Sequence, residues 1–111
     1  RARRCFGTTG SRWFVDFRSD GHFMGEEYET DAPPHLTGKL VSGKPLKQVT
    51  LFRQGQAILD LDAEALGGST EYTLDVTDEG WTPGVYYYLR GIDEANEIAW
   101  ASPIWVDALS H

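Results

Sequence analysis

Two consecutive runs of aromatic and β-branched residues constrain the fold of this chain more than any other feature. The first run is residues 84–92 (GVYYYLRGI), and the second is residues 98–106 (IAWASPIWV). A short polar link, residues 93–96 (DEAN), separates them. Because aromatic and β-branched side chains favour extended backbone, two such runs around a polar turn predict a long antiparallel strand pair. Neither run contains a residue pattern typical of a catalytic group.

Alternating apolar and polar residues predict further strands along the chain. The predicted strands are residues 13–17, 36–42, 46–53, 56–61, 70–77, 84–92 and 98–106, with a short edge strand at 22–28. Pro103 is expected to break or bulge the last strand. About seven strands in roughly 100 residues, separated by frequent turn signals, predict an all-β, immunoglobulin/fibronectin-III-like antiparallel β-sandwich. No helix of ten residues can be placed, which excludes a parallel sheet built from βαβ units.

The 111 residues suit one domain. We predict that residues 11–108 form the sandwich and that residues 1–10 are the end of a preceding domain or a linker. The chain does not begin with Met, and three of its 10 basic residues lie among its first four positions. Both features suggest a fragment of a longer protein.

The charge and the composition of the chain argue against some classes of function. The net charge is −7, and the residues after the first four carry 7 basic against 17 acidic side chains. Such a surface repels phosphate backbones, so we expect no nucleic-acid partner. No run of apolar residues is long enough to span a membrane. The single cysteine, Cys5, can form no disulfide within the chain, and neither the compartment nor the oligomeric state follows from the sequence.

A tyrosine in the first aromatic run has a predicted structural role. Residues 83 and 84 (PG) precede it at a spacing like that of fibronectin type III domains, in which a tyrosine hydroxyl bonds back to the preceding connection. Tyr87 suits this tyrosine corner because Val85, Tyr87 and Leu89 then share an apolar face. Tyr86, one residue away, is the competing choice.

Residues able to hold a metal or act as nucleophiles are not clustered in the sequence. The three histidines lie far apart, at His22, His35 and His111. His22 with the nearby Glu26 and Glu27 reads more simply as a solvated turn than as an ion site. Asp60 and Asp62 would share one face of a strand, but the other ligands of a calcium loop are missing. We therefore predict no catalytic, metal or cofactor residue in this chain.

The four tryptophans are the other chemical feature. Trp13 falls on an apolar strand face and is expected in the core, whereas Trp81 follows Gly80 in a loop and is the ring we expect to be exposed. Exposed rings can stack on sugars, so a carbohydrate-binding module is one alternative. Contact with a neighbouring domain is the other explanation. The residues expected at such a contact are Arg3, Arg4, Trp81 and Trp105.

Segments near both ends of the chain resemble a known family. Residues 3–12 (RRCFGTTGSR) resemble the motif RRCYATTG, and residues 86–90 with 99–106 (YYYLR and AWASPIWV) resemble YYYVR and AWSSPIWV. Residues 21–26, with Met24, fit between them. These motifs are similar to the C-terminal part of a large bacterial family related to PHP-type (polymerase and histidinol phosphatase) metal-dependent phosphoesterases. Gly7 and Ala101 depart mildly from the pattern.

The resemblance implies an accessory role. In that family the metal-binding residues belong to a preceding barrel-like domain, and no residue of this chain matches their motifs. The resemblance thus implies a non-catalytic C-terminal domain that packs against an upstream metallohydrolase domain, whose last helix would end within residues 1–5. The alternatives are a carbohydrate- or ligand-binding sandwich and a cell-surface interaction domain.

Overall fold

The computed structural model describes residues 6–8 and 13–109. They form eleven strands and one short helical turn. In chain order these are β1 (Phe6–Thr8), β2 (Phe14–Ser19), β3 (His22–Phe23), β4 (Glu27–Thr30), β5 (His35–Val41), β6 (Leu46–Arg53), β7 (Gln56–Asp62), α1 (Ala63–Leu66), β8 (Glu71–Thr77), β9 (Val85–Asp93), β10 (Ile98–Ala101) and β11 (Ile104–Ala108).

The strands form two sheets. The smaller sheet is antiparallel and has the order β3-β2-β5-β8. In the larger, seven-stranded sheet, β9 is central: β6 pairs with one edge of β9, while β10 and β11 share the other edge. Strand β7 lies outside β6, β1 pairs antiparallel with β10, and β4 pairs parallel with β11. The result is an all-β sandwich, as predicted.

The core lies between the two sheets and follows from the period-two alternation of side chains. Along β9, Val85, Tyr87 and Leu89 are buried, and the residues between them are only partly covered. On the smaller sheet Val15, Phe17 and Leu74 face the same interior. Trp13 is also buried, as expected from its strand face. Burial of these apolar side chains supplies the main stabilisation of the sandwich.

The predicted long strands are present, and the additional strands are short. The last predicted strand is divided at Ser102 and Pro103 into β10 and β11, as the proline suggested. The predicted edge strand at 22–28 is instead two pieces, because Gly25 at φ 90° turns the chain out of the smaller sheet. Strand β3 remains in the smaller sheet and β4 joins the larger one.

The beginning of the sandwich also differs from the predicted division at residue 11. Strand β1 pairs with β10, with Phe6 opposite Ala101 and Gly7 opposite Trp100. Residues 6–8 are therefore part of the larger sheet and not of a linker. The rest of the predicted preceding segment, including Cys5, lies outside the described residues, as does His111.

Candidate functional site

A row of stacked aromatic rings crosses the outer face of the larger sheet. The ring centroids of Phe52 and Tyr88 are 4.6 Å apart with an interplanar angle of 15°. Tyr88 and Tyr86 follow at 6.2 Å, and Tyr86 and Trp105 at 4.8 Å. At the other end of the row, the guanidinium of Arg90 lies 5.0 Å from the centroid of Phe52, a cation–π distance. The row therefore joins side chains from β6, β9 and β11 into one surface.

Strand register explains why these side chains meet. Tyr86, Tyr88 and Arg90 are alternate residues of β9, so all three point away from the core. Phe52 is the cross-strand partner of Tyr88, and Trp105 is the partner of Tyr86. Directly opposed residues share a sheet face. Trp100 belongs to the same face because it lies opposite Arg90. We call this surface, formed by Phe52, Tyr86, Tyr88, Arg90, Trp100 and Trp105, the aromatic face.

The two indoles are the most accessible part of the aromatic face. Trp105 is 47% exposed and Trp100 is 42% exposed. Their cross-strand partners, Tyr86 and Arg90, are four residues apart on β9, which corresponds to about 13 Å along the strand. The phenyl and phenol rings of the row contact one another, whereas the indoles at its margin keep surface open to solvent. Large exposed aromatic surface of this kind is typical of binding faces.

An acidic groove borders the aromatic face at Trp105. It has a volume of about 440 Å³ and is lined by residues of β4 and β11 together with Gly84. In the parallel pairing of these strands, Glu27 lies opposite Trp105 and Glu29 lies opposite Asp107. Among the described residues, no cation lies within ion-pair distance of these three carboxylates. The groove thus combines negative charge with an exposed indole, which suits a cationic side chain.

A buried polar network lies at one end of the sandwich core. The hydroxyl of Tyr87 donates a 2.6 Å hydrogen bond to Oδ2 of Asp78. Nη1 of Arg53 donates to the same carboxylate at 2.7 and 2.8 Å. The backbone N–H of Gly80 is a further donor to Asp78 at 3.1 Å. Asp78 lies in the connection between β8 and β9, so the network ties this connection to β6 and β9.

The pKa values in this network favour a charged carboxylate and a neutral phenol. Burial alone would raise the pKa of Asp78, but hydrogen bonds from Tyr87 and Arg53 outweigh it and hold the pKa below its ordinary value. Burial, followed by the hydrogen bond to Asp78, raises the pKa of Tyr87 far above its ordinary value. A carboxylate fully engaged by donors and an un-ionised tyrosine are suited to holding structure and not to proton transfer.

Other titratable groups contact one another in a short chain and in pairs, and the chain includes the hydroxyl of Tyr28, which donates to Oδ2 of Asp20 at 2.7 Å. The ring of His22 stacks on Tyr28 at 4.1 Å, and Nδ1 of His22 lies 3.1 Å from Oε1 of Glu26. Nε2 of His35 lies 2.5 Å from Oδ1 of Asp75 on the smaller sheet. Within residues 6–8 and 13–109, no three histidine, cysteine or acidic side chains converge as metal ligands would.

The predicted site residues do not lie together in the part of the chain that the structure describes. Trp105 lies on the aromatic face. Trp81 is partly buried and packs against the core, whereas Trp100 and Trp105 are exposed, so the prediction that Trp81 is the exposed ring was wrong. Arg3 and Arg4 lie outside the described residues. Tyr87 is fully buried with its hydroxyl on Asp78, a side-chain acceptor where the tyrosine corner uses backbone.

Sequence reasoning missed that several aromatic residues belong to one surface. The alternation that places Tyr87 inside also places Tyr86 and Tyr88 outside, and this signal was present in the sequence. Contact with Phe52 and Trp105 depends on cross-strand register, which the sequence pattern does not give. Phe14, 53% exposed on the smaller sheet, shows that exposure of a single ring does not define such a surface.

The chain has relatives among curated proteins, all of them much longer. It is 33% identical over 121 residues to an uncharacterised protein of Chlamydia pneumoniae, a match that covers 96% of this chain and 19% of that protein. It is 28% identical over 121 residues to an uncharacterised protein of Chlamydia muridarum, covering 95% of this chain and 19% of the relative. An uncharacterised protein of Chlamydia trachomatis is 28% identical over 120 residues, with the same 19% share.

The chain therefore spans only 19% of the length of these relatives. No protein-family profile matches it, and no solved structure gives a significant match. In the part of the chain that the structure describes, no helix has the length and hydropathy needed to cross a membrane.

Proposed function

We propose that this chain is a non-catalytic accessory domain of a longer protein and that it packs through the aromatic face against another part of that protein. The observation that carries the proposal is the row of rings ending in exposed Trp105, on a chain that accounts for 19% of the length of its relatives. Burying these indoles against a second protein surface would remove a large apolar area from water.

The topology supports an immunoglobulin-like version of the sandwich. The chain crosses from the smaller sheet at β5 to the hairpin β6–β7, returns at β8, and crosses again to β9. This is the Greek-key exchange between sheets that immunoglobulin-like domains use. Because this fold hosts many unrelated functions, the accessory role rests on the aromatic face and not on the topology.

The resemblance of the two end motifs indicates which kind of domain the proposed neighbour is. On this proposal the neighbour is an upstream metal-dependent phosphoesterase domain of the PHP-related type, and it carries the metal-binding residues. The sandwich itself would then need neither metal nor cofactor. Phosphoester hydrolysis with divalent metal should be found in the longer protein and in a version without residues 6–108, and not in the 111 residues alone. Hydrolysis by the 111 residues alone would contradict the proposal.

Hydroxyl-radical footprinting tests the packing directly. The same 111 residues are oxidised as a separate fragment and within the longer protein, and side-chain modification is measured by mass spectrometry. We expect oxidation of Trp100 and Trp105 to fall several-fold in the longer protein, because the partner surface excludes solvent. Phe14, on the other sheet, is the matched control and should react equally in both. Equal oxidation of the indoles in both samples would contradict the proposal.

A glycan-binding module is the second candidate, and the two open indoles favour it. Trp100 and Trp105 lie exposed at the margin of the aromatic face, where ring surfaces can stack on sugars. Tryptophan fluorescence titrated with oligosaccharides should then change in the wild type and not in Trp105→Ala. An unchanged spectrum up to millimolar sugar would rule this candidate out.

A further inference from the structure

Resting on the proposed function, we infer that the partner seated on the aromatic face is the polypeptide on the N-terminal side of Phe6, and that it places an arginine or lysine side chain in the acidic groove beside Trp105. Three observations support this assignment: the place where the chain joins the sheet, the charge of the groove, and the distribution of basic residues.

The chain joins the sandwich beside the aromatic face. Phe6 lies opposite Ala101 and Gly7 opposite Trp100, so β1 is an edge strand of the larger sheet and lies beside the strand that carries Trp100. Ala101 is followed, after Ser102 and Pro103, by the strand that carries Trp105. The polypeptide that leads into Phe6 thus joins the sheet beside Ala101, which lies between the two exposed tryptophans in sequence. A short tether of this kind gives the attached segment a high effective concentration at the aromatic face.

The negative charge of the groove favours a partner with a basic side chain. Glu27, Glu29 and Asp107 surround Trp105 without a cation from the described residues. A guanidinium or ammonium group placed there would meet both the carboxylates and the electron-rich face of the indole. A second copy of this sandwich would bring the same three carboxylates against themselves, and like charges across an interface are unfavourable.

Basic residues are concentrated on the N-terminal side of Phe6. Residues 1–4 contain three of the 10 arginines and lysines of the chain, whereas residues 13–109 are strongly acidic. The arginines among residues 1–4 and the carboxylates of the groove have opposite charges, which favours the N-terminal polypeptide as the occupant.

Site-specific photocrosslinking in the longer protein tests this inference. A photoreactive p-benzoylphenylalanine is incorporated at position 105, and the matched control carries it at position 14, which is equally exposed on the opposite sheet. We expect position 105 to crosslink to peptides N-terminal to Phe6 that contain arginine or lysine, and position 14 to give no such product. The paired charge reversal Glu27→Lys and Glu29→Lys should reduce the yield at position 105 several-fold, and Glu94→Lys, on an exposed turn, should not.

The outcomes separate this inference from the proposed function. Crosslinks from position 105 to polypeptide that follows residue 111, or a yield unaffected by charge reversal, would overturn the inference while leaving the accessory-domain proposal in place. Crosslinks only to a second molecule, or none outside residues 6–111, would overturn both.

Discussion

The hydroxyl of Tyr87 and the carboxylate of Asp78 are joined by a 2.6 Å hydrogen bond inside the sandwich. Tyr87 is fully buried on β9, and Asp78 lies in the connection that precedes this strand. Because Arg53 on β6 donates to the same carboxylate, the bond belongs to a network that fixes the crossing from one sheet to the other. The path of the connection between β8 and β9 therefore depends on the hydroxyl of Tyr87.

Removing that hydroxyl should destabilise the fold. We expect Tyr87→Phe to lower the free energy of unfolding by about 1.5–3 kcal/mol, because a buried carboxylate loses one of its donors. Urea denaturation measures the change. Tyr86→Phe is the control: Tyr86 is on the same strand, but its side chain faces outward, so its loss should be below about 0.5 kcal/mol. Equal losses in the two variants would show that the buried bond contributes nothing.

Acid should weaken the fold partly through Asp78. The pKa of Asp78 is lower in the folded state than in the unfolded chain, where it is about 3.9. The unfolded state therefore takes up this proton first, so the contribution is complete above about pH 5 and is lost as the pH falls through the folded-state pKa. Between about pH 5 and pH 2, we expect the free energy of unfolding to fall less steeply in Asp78→Asn than in the wild type. Asp31→Asn, at an exposed position, should keep the wild-type slope.

Close packing at Gly38 should make this position intolerant of any side chain. A Cβ there would lie 2.5 Å from the backbone carbonyl oxygen of Asp16, which is fixed in the sheet. We expect Gly38→Ala to cost about 1–3 kcal/mol or more in thermal or urea unfolding. Gly91→Ala is a graded comparison, because its Cβ would meet the side-chain atoms of Leu40 and Trp13 at 3.1 and 3.2 Å, and these can shift. A larger loss at Gly91 than at Gly38 would contradict this explanation.

A substitution at Leu74 tests which face of β8 points into the core. It is 1% exposed in the core between the sheets, so Leu74→Ala should lower the free energy of unfolding by about 2–5 kcal/mol. Thr73→Ala, on the opposite face of the same strand, should cost less than about 1 kcal/mol. If the larger loss were found at Thr73, the face assignment of this strand would be reversed.

Local sequence patterns predicted the elements well, and one turn shows why. An aspartate before residues 63–66 and two glycines after them are local signals of a helical turn, and α1 has Asp62 as its N-cap and Gly67 at φ 64° as its C-cap. Both signals act over four residues, because the Asp62 side chain accepts from the N–H of Ala65. Such information is fully contained in the neighbouring residues.

Long-range contacts were predicted less well. The exposure of Trp81 was misjudged because loop residues carry no alternation that indicates a face, and only the packed structure places that ring against the core. The division of residues 22–30 between two sheets depends on the pairing of β4 with β11, more than 70 positions away. The aromatic face likewise required the register between β9 and β6.

The sequence by itself determined that this chain is built of strands, where most of them lie, and which of their faces are apolar, because side-chain alternation is a local property. Only the tertiary structure decided which side chains become neighbours across strands: the aromatic face, the acidic groove at Trp105, and the bond from Tyr87 to Asp78. The physical reason is that strand pairing and register depend on the fit of segments distant in sequence, which no local pattern encodes.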